Sequence, residues 1–332
     1  IKWTNDTIVR LYSMTKPVTA AAVMMLVDRG VIDVHDKVWW YLPGFKNQQV
    51  LTENGYEPAR TEVSIKNLLD MTSGCAYPDN NYPAGAEMQK LYDRMAADVA
   101  DGKPWDTVTL ANEIGKQPLA FQPGEKWMYG SGADILGAVI EVVTGIKFGE
   151  FLRREIFEPL GMNDTDFYCP EEKLYRFAEN YEPTDKGLIP CCWQHLGLTY
   201  LCRKKPEFES GGAGLCSTMD DYAAFAEMLL NGGVYNGRRI LSQNAVDYLT
   251  TAQLTPEQRR SFDWDQHVGC SYGNLMRVCV EPELAGPGTH YGEYGWDGWL
   301  GCYFQNDPDG GYTVLYFIQR CGGLGIRPIR II

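Results

Sequence analysis

The sequence predicts an α/β (α+β) protein, in which a mainly helical lobe over about residues 11–265 is joined to an antiparallel sheet with flanking helices. Three observations predict it. A stretch that is apolar nearly all round follows Ser13, and further helical patterns recur up to about residue 230. After about residue 265 β-branched and aromatic residues take over around a strong hairpin turn. No internal repeat and no linker interrupts the 332 residues, so the chain reads as one unit from 1 to 332.

Taken in order, Ser13–Arg29 (SMTKPVTAAAVMMLVDR) reads as a buried helix stopped by Gly30, and Pro17 requires its first turn to lie close to Ser13. Ser64–Met71 opens on a serine cap, Ala133–Thr144 ends at Gly145, and Met219–Leu230 ends at Asn231-Gly232. The longest loop, Cys75–Ala86 (CAYPDNNYPAGA), is too long and polar for a simple connector and is expected to border a site or a partner. GCYFQN and GYTVLYFIQR flank the turn DPDG and read as an antiparallel hairpin.

Composition narrows the classes of function. With 45% hydrophobic and 12% aromatic residues the chain can bury a large core, which excludes disorder. A net charge of −13 with scattered Lys and Arg argues against nucleic acid and suits a neutral or cationic small molecule. No stretch approaches the roughly 18 apolar residues of a membrane span. Ten cysteines form no C-x-x-C pair and there are four histidines, so neither a metal site nor a cofactor is implied. Cys75, Cys216 and Cys302 sit in core-like runs, and the thiols read as reduced small hydrophobes of a cytoplasmic protein.

Three segments carry chemistry. Ser13-Met14-Thr15-Lys16 is an S-x-x-K tetrad at a helix start, where the three-residue spacing puts hydroxyl and amine one turn apart on one face. A lysine desolvated among apolar residues can lose its proton readily enough to activate a neighbouring serine. In the second segment, FQPGEKWMYGSGADILG (residues 121–137), Tyr129 stands between flexible glycines before an apolar helix. There it can relay a proton beside the Ser–Lys pair, or simply be a buried aromatic. The third, YGWDGWLGCYFQNDP (residues 294–308), spaces Gly295, Gly298 and Gly301 three apart, a sign of close approach by a ligand or another backbone.

In order and spacing these segments, together with VIDVHDKVWWYLPGF, SIKNLLDMTSG and GGAGLCSTMDDYAAFAEML, resemble the β-lactamase-like serine hydrolases. That group joins class C β-lactamases, D-Ala-D-Ala peptidases, D-aminopeptidases and family VIII carboxylesterases. The resemblance implies a β-lactamase/transpeptidase-like fold forming one catalytic unit. It makes Ser13 the acylated nucleophile, Lys16 its base partner and Tyr129 the second member of the proton relay. Ser131 falls at the third residue of the second motif, as a substrate-binding position. Trp296-Asp297-Gly298 stands where β-lactamases have K-T-G, and the oxyanion hole would use the backbone N–H groups of Ser13 and Trp299. An indole at position 296 cannot pair with a substrate carboxylate and offers an apolar wall instead. The expected activity is therefore a carboxylesterase for small or hydrophobic acyl esters. A β-lactamase, D-peptidase or acyltransferase with the same residues, or a non-catalytic penicillin-recognising module, is the alternative. The sheet lobe, about residues 1–10 with 266–332, is expected to be incomplete at both ends, because family members carry more chain before the nucleophile and a final helix after the last strand.

Overall fold

A computed structural model describes residues 2–78, 82–191, 194–199 and 201–323. Cys192 and residues 324–332 of the expected sheet lobe lie outside these described residues. Helices and one principal antiparallel sheet share a continuous core. Among the described residues no helix is long and apolar enough to cross a membrane.

The first long helix spans Thr15–Asp28, and Ser13 sits just ahead of it in a 3-10 turn, Tyr12–Met14. Its residues from Thr15 to Leu26 are all buried, which is why the segment carries no amphipathic period. Ser64 caps the short helix Ile65–Leu69 as the sequence indicates, by a reciprocal capping box with Asn67. The helix Gly132–Thr144 closes on Gly145 with a left-handed φ of 72°. Thr218 caps Met219–Leu230 by accepting the Asp221 N–H at 3.1 Å.

The long loop after Cys75 is shorter than its composition suggests. Pro83 opens an 18-residue helix, Pro83–Ala100, that buries Ala84, Met88, Leu91, Tyr92 and Met95 along one face. Proline at a first helical position loses no needed hydrogen bond, so the Pro-Ala-Gly that reads as loop is a helix entry.

Five strands, Cys270–Gly273, Met276–Cys279, Tyr294–Asp297, Tyr303–Asp307 and Tyr312–Tyr316, form a sheet in which each pairs with the next in sequence. The alternation of side chains sends Trp296 and its partner Phe304 to one face, and Asp297 and its partner Tyr303 to the other. Met219–Leu230 packs on the last two strands, where Tyr222 meets Phe304 edge-on and Asn306 donates to the Ala226 carbonyl at 2.8 Å. The expected hairpin is present, its turn closed by Asp307, whose Oδ1 accepts from Gly310 N at 2.8 Å.

The segment leading to Ser13 is tied down from several directions. Val9–Arg10 pairs with Cys216–Ser217, and Leu11 donates to the Leu215 carbonyl. The Gln319 side-chain amide acts as a substitute strand, accepting from Arg10 N and donating to Arg10 O, both at 3.0 Å. Of the nine cysteines described, eight are buried; the Cys191 and Cys321 sulfurs lie 3.2 Å apart.

Candidate active site

Ser13 is half-buried at the floor of a cavity of about 490 Å³, whose walls include Tyr12, Tyr77, Tyr129, His195, Trp264 and Trp299. Its position is held by neighbours on both sides. Tyr12 has a φ of 47°, a left-handed conformation uncommon outside glycine, and its ring is buried. On the other side the Met14 carbonyl accepts from the Tyr222 hydroxyl at 2.9 Å, and the Thr15 hydroxyl accepts from Leu215 N at 3.1 Å.

Lys16 is 1% exposed. Its Nζ lies 3.2 Å from Ser13 Oγ, 2.8 Å from the Gly212 carbonyl and 3.4 Å from the Tyr77 hydroxyl. Burial lowers its pKa to about 7, against the opposing pull of the Asp134 and Asp297 carboxylates. Asp134, also buried, accepts from Ser210 Oγ at 2.5 Å and from Gly212 N at 2.9 Å. The Gly212 peptide therefore links the two charges, its N–H bound to the carboxylate and its C=O to the amine. A β-carbon at Gly212 would come within 2.9 Å of the Tyr77 hydroxyl and 3.0 Å of Asp134 Oδ2, so any larger residue at this junction would have to displace the Tyr77 and Asp134 side chains.

Tyr129 hydrogen-bonds to the Ser13 side chain and accepts the Trp296 indole N–H at 3.1 Å. Lys16 Nζ lies 4.5 Å from the Tyr129 ring centre. Desolvation raises the Tyr129 pKa well above the usual phenol value, so the ground-state group is the neutral phenol. Behind it Trp127, Trp264, Tyr272 and Trp296 form an aromatic support with ring centres 5.1–6.4 Å apart.

Ser13, Tyr129 and Trp299 thus line the cavity, with Lys16 buried against Ser13 outside its lining, while the remaining sequence candidates do not enter it. Trp296 is 2% exposed and lies beneath Tyr129, so it is not the apolar wall expected of it. Ser131 is fully buried. Both its N–H and its hydroxyl bond the Cys75 carbonyl, which turns the side chain away from any substrate. Asp297 projects from the sheet face opposite Trp296, and desolvation pushes its pKa up to about 6. Gly298 acts through its backbone: a β-carbon there would sit 2.2 Å from the Leu11 carbonyl, so its absence lets the sheet approach within two residues of Ser13. Trp299, next in sequence, consequently packs over Tyr12 at 5.5 Å and stacks on His195 at 4.5 Å.

Sequence reasoning missed Tyr77, Asp134, Gly212 and His195. Tyr77 does lie in the loop expected to border a site, and Asp134 is one of two acidic residues, with Glu141, in an otherwise apolar helix. Nothing local marks His195, whose role depends on a distant Trp299.

Comparison with known proteins identifies the family. Residues 1–330 match the family model described as Beta-lactamase. Protein Rv1367c of Mycobacterium tuberculosis is 32% identical over 97% of this chain and 80% of its own length. Lovastatin esterase of Penicillium rubens is 30% identical over 98% and 80%. The solved structure of EstCE1, titled a hydrolase with promiscuous acyltransferase activity, superposes with a TM-score of 0.80 at 22% identity, over 99% of this chain and 84% of that one. Other relatives are named as an esterase, an acyltransferase and a D-alanyl-D-alanine carboxypeptidase. A serine beside a buried lysine, on this fold and with these relatives, leads to one conclusion: the chain belongs to the β-lactamase family and is a serine hydrolase.

Proposed function

We propose that the protein is a carboxylesterase for small or hydrophobic acyl esters, working through an acyl-enzyme on Ser13. The observation that carries this reading is the cavity wall. Among the described residues its lining includes several tyrosines and tryptophans and the acidic Asp263 but no lysine or arginine, so these walls offer the carboxylate of a β-lactam or a peptide C-terminus no guanidinium or ammonium. A neutral ester has no such need.

In the proposed reaction Lys16 acts as its neutral amine, a form that its pKa near 7 makes available. Two N–H bonds then go to the Gly212 carbonyl and the Tyr77 hydroxyl, which leaves the nitrogen lone pair for the Ser13 proton. Ser13 Oγ attacks the ester carbonyl, and the backbone N–H groups of Ser13 and Trp299 hold the oxyanion. Tyr129 passes the proton to the leaving alcohol, and water then releases the acid. Gly298, by admitting the Leu11 backbone, supports the placement of Trp299 N.

The test compares short p-nitrophenyl esters with nitrocefin and a D-Ala-D-Ala peptide, alongside fluorophosphonate labelling. Ester turnover and stoichiometric labelling, both lost in Ser13→Ala, are expected. Fast nitrocefin hydrolysis with negligible ester turnover would overturn the esterase reading, and an intact protein that takes no label would favour a non-catalytic binding module.

A further inference from the structure

A second cavity, of about 190 Å³, adjoins the first. Its walls are mostly apolar, among them Met95, Val99, Trp105, Phe167, Leu198 and Phe208. Two residues, Tyr12 and Ala213, line both cavities. The small hairpin Gln194–His195/Leu198–Thr199 completes the partition: His195 and Leu196 face the Ser13 cavity, and Gly197, Leu198 and Thr199 face the second. Its turn residues Leu196 and Gly197 both have left-handed φ, 52° and 74°, as a two-residue hairpin turn requires. Gly197 is seated directly on the Met95 and Tyr92 side chains.

The charged groups at this cavity are already engaged or exposed. Arg10 donates to the Ala178 carbonyl at 2.8 Å and to Asn180 at 3.0 Å and lies over the Phe177 ring, while Lys204 and Glu207 are exposed and opposite in sign. The interior therefore selects for an uncharged apolar group.

We propose that this cavity receives the acyl chain of the ester, which enters past Tyr12 and Ala213. The inference rests on the esterase reading above. The acyl side is assigned because the alcohol must leave toward Tyr129, and neither Tyr129 nor its supports Trp127, Trp264 and Trp296 line the second cavity. Tyr12, whose backbone runs straight into Ser13, does. In the step concerned, the bond between Ser13 Oγ and the acyl carbon forms and the ester C–O bond to the alcohol breaks. The serine proton ends on the alcohol, and the chain stays in the cavity until water cleaves the acyl-enzyme to the acid and free Ser13.

The experiment is a ladder of p-nitrophenyl esters from acetate to dodecanoate, with a matched ladder of acetate esters of lengthening alcohols. In the wild type, kcat/KM should rise about fourfold per methylene along the acyl ladder until the cavity is filled. Val99→Trp, at a largely exposed position on the Pro83–Ala100 helix, should cut turnover of the long acyl esters about tenfold or more and leave acetate within about twofold. Met95→Ala should move the preferred chain to greater length. A flat wild-type acyl ladder, an acyl profile unchanged in both variants, or an effect of Val99→Trp confined to the alcohol ladder would overturn the assignment. Failure of the esterase reading itself looks different: no ester of any length is turned over.

Discussion

The indole N–H of Trp296 donates to the hydroxyl of Tyr129, 167 residues away, at 3.1 Å. The residue at the third-motif position therefore works from underneath: it orients the phenol that faces Ser13 and does not meet the substrate. Trp296→Phe keeps an aromatic ring and removes the donor together with part of the buried indole. One neutral hydrogen bond contributes about 1 kcal/mol, so kcat should fall about fivefold while KM stays unchanged. Steady-state kinetics on p-nitrophenyl butyrate check this; a change confined to KM would mean the indole touches substrate after all.

If Lys16 acts as the base in its neutral form, as proposed, kcat/KM should climb as pH rises through its pKa, which burial lowers to about 7. The Asp297 carboxylate raises the Lys16 pKa, so Asp297→Asn should move the rising limb to lower pH. A pH–rate profile of both proteins measures the shift, and movement toward higher pH would contradict the assignment of Lys16 as base.

Gly298→Ala should cost stability and rate together. The added methyl would overlap the Leu11 carbonyl, and forcing the sheet away costs about 1–3 kcal/mol. Because Leu11 and Trp299 flank the site, kcat should fall more than the urea midpoint alone explains. A variant with reduced stability and wild-type kcat would show that the sheet approach does not position the oxyanion donors.

Much of the site is legible in the sequence itself. Ser13 and Lys16 declare themselves because a three-residue helical spacing is local, and the Gly145 and Asn231-Gly232 stops mark helix ends for equally local reasons. Tyr129 could be singled out from its glycine flanks and motif order. What failed were judgements about direction. Strand alternation says that Trp296 and Asp297 face opposite sides, but not which side holds Tyr129. Ser131 sits two residues beyond Tyr129, yet the Cys75 carbonyl captures it, a contact formed across 56 residues. The pairing of Asp134 with Lys16 through the Gly212 peptide depends on three distant segments meeting, and no window of sequence contains it.

The amide of Gln319 grips the backbone of Arg10, three residues before Ser13, across 309 positions of chain. During synthesis the serine helix emerges well before the side chain that fixes its approach. Closing so long a loop is slow and cannot begin early. A ribosome-bound chain that has not reached position 319 therefore carries Ser13 and Lys16 with this anchor still missing, and the approach to Ser13 is fixed only when Gln319 joins it.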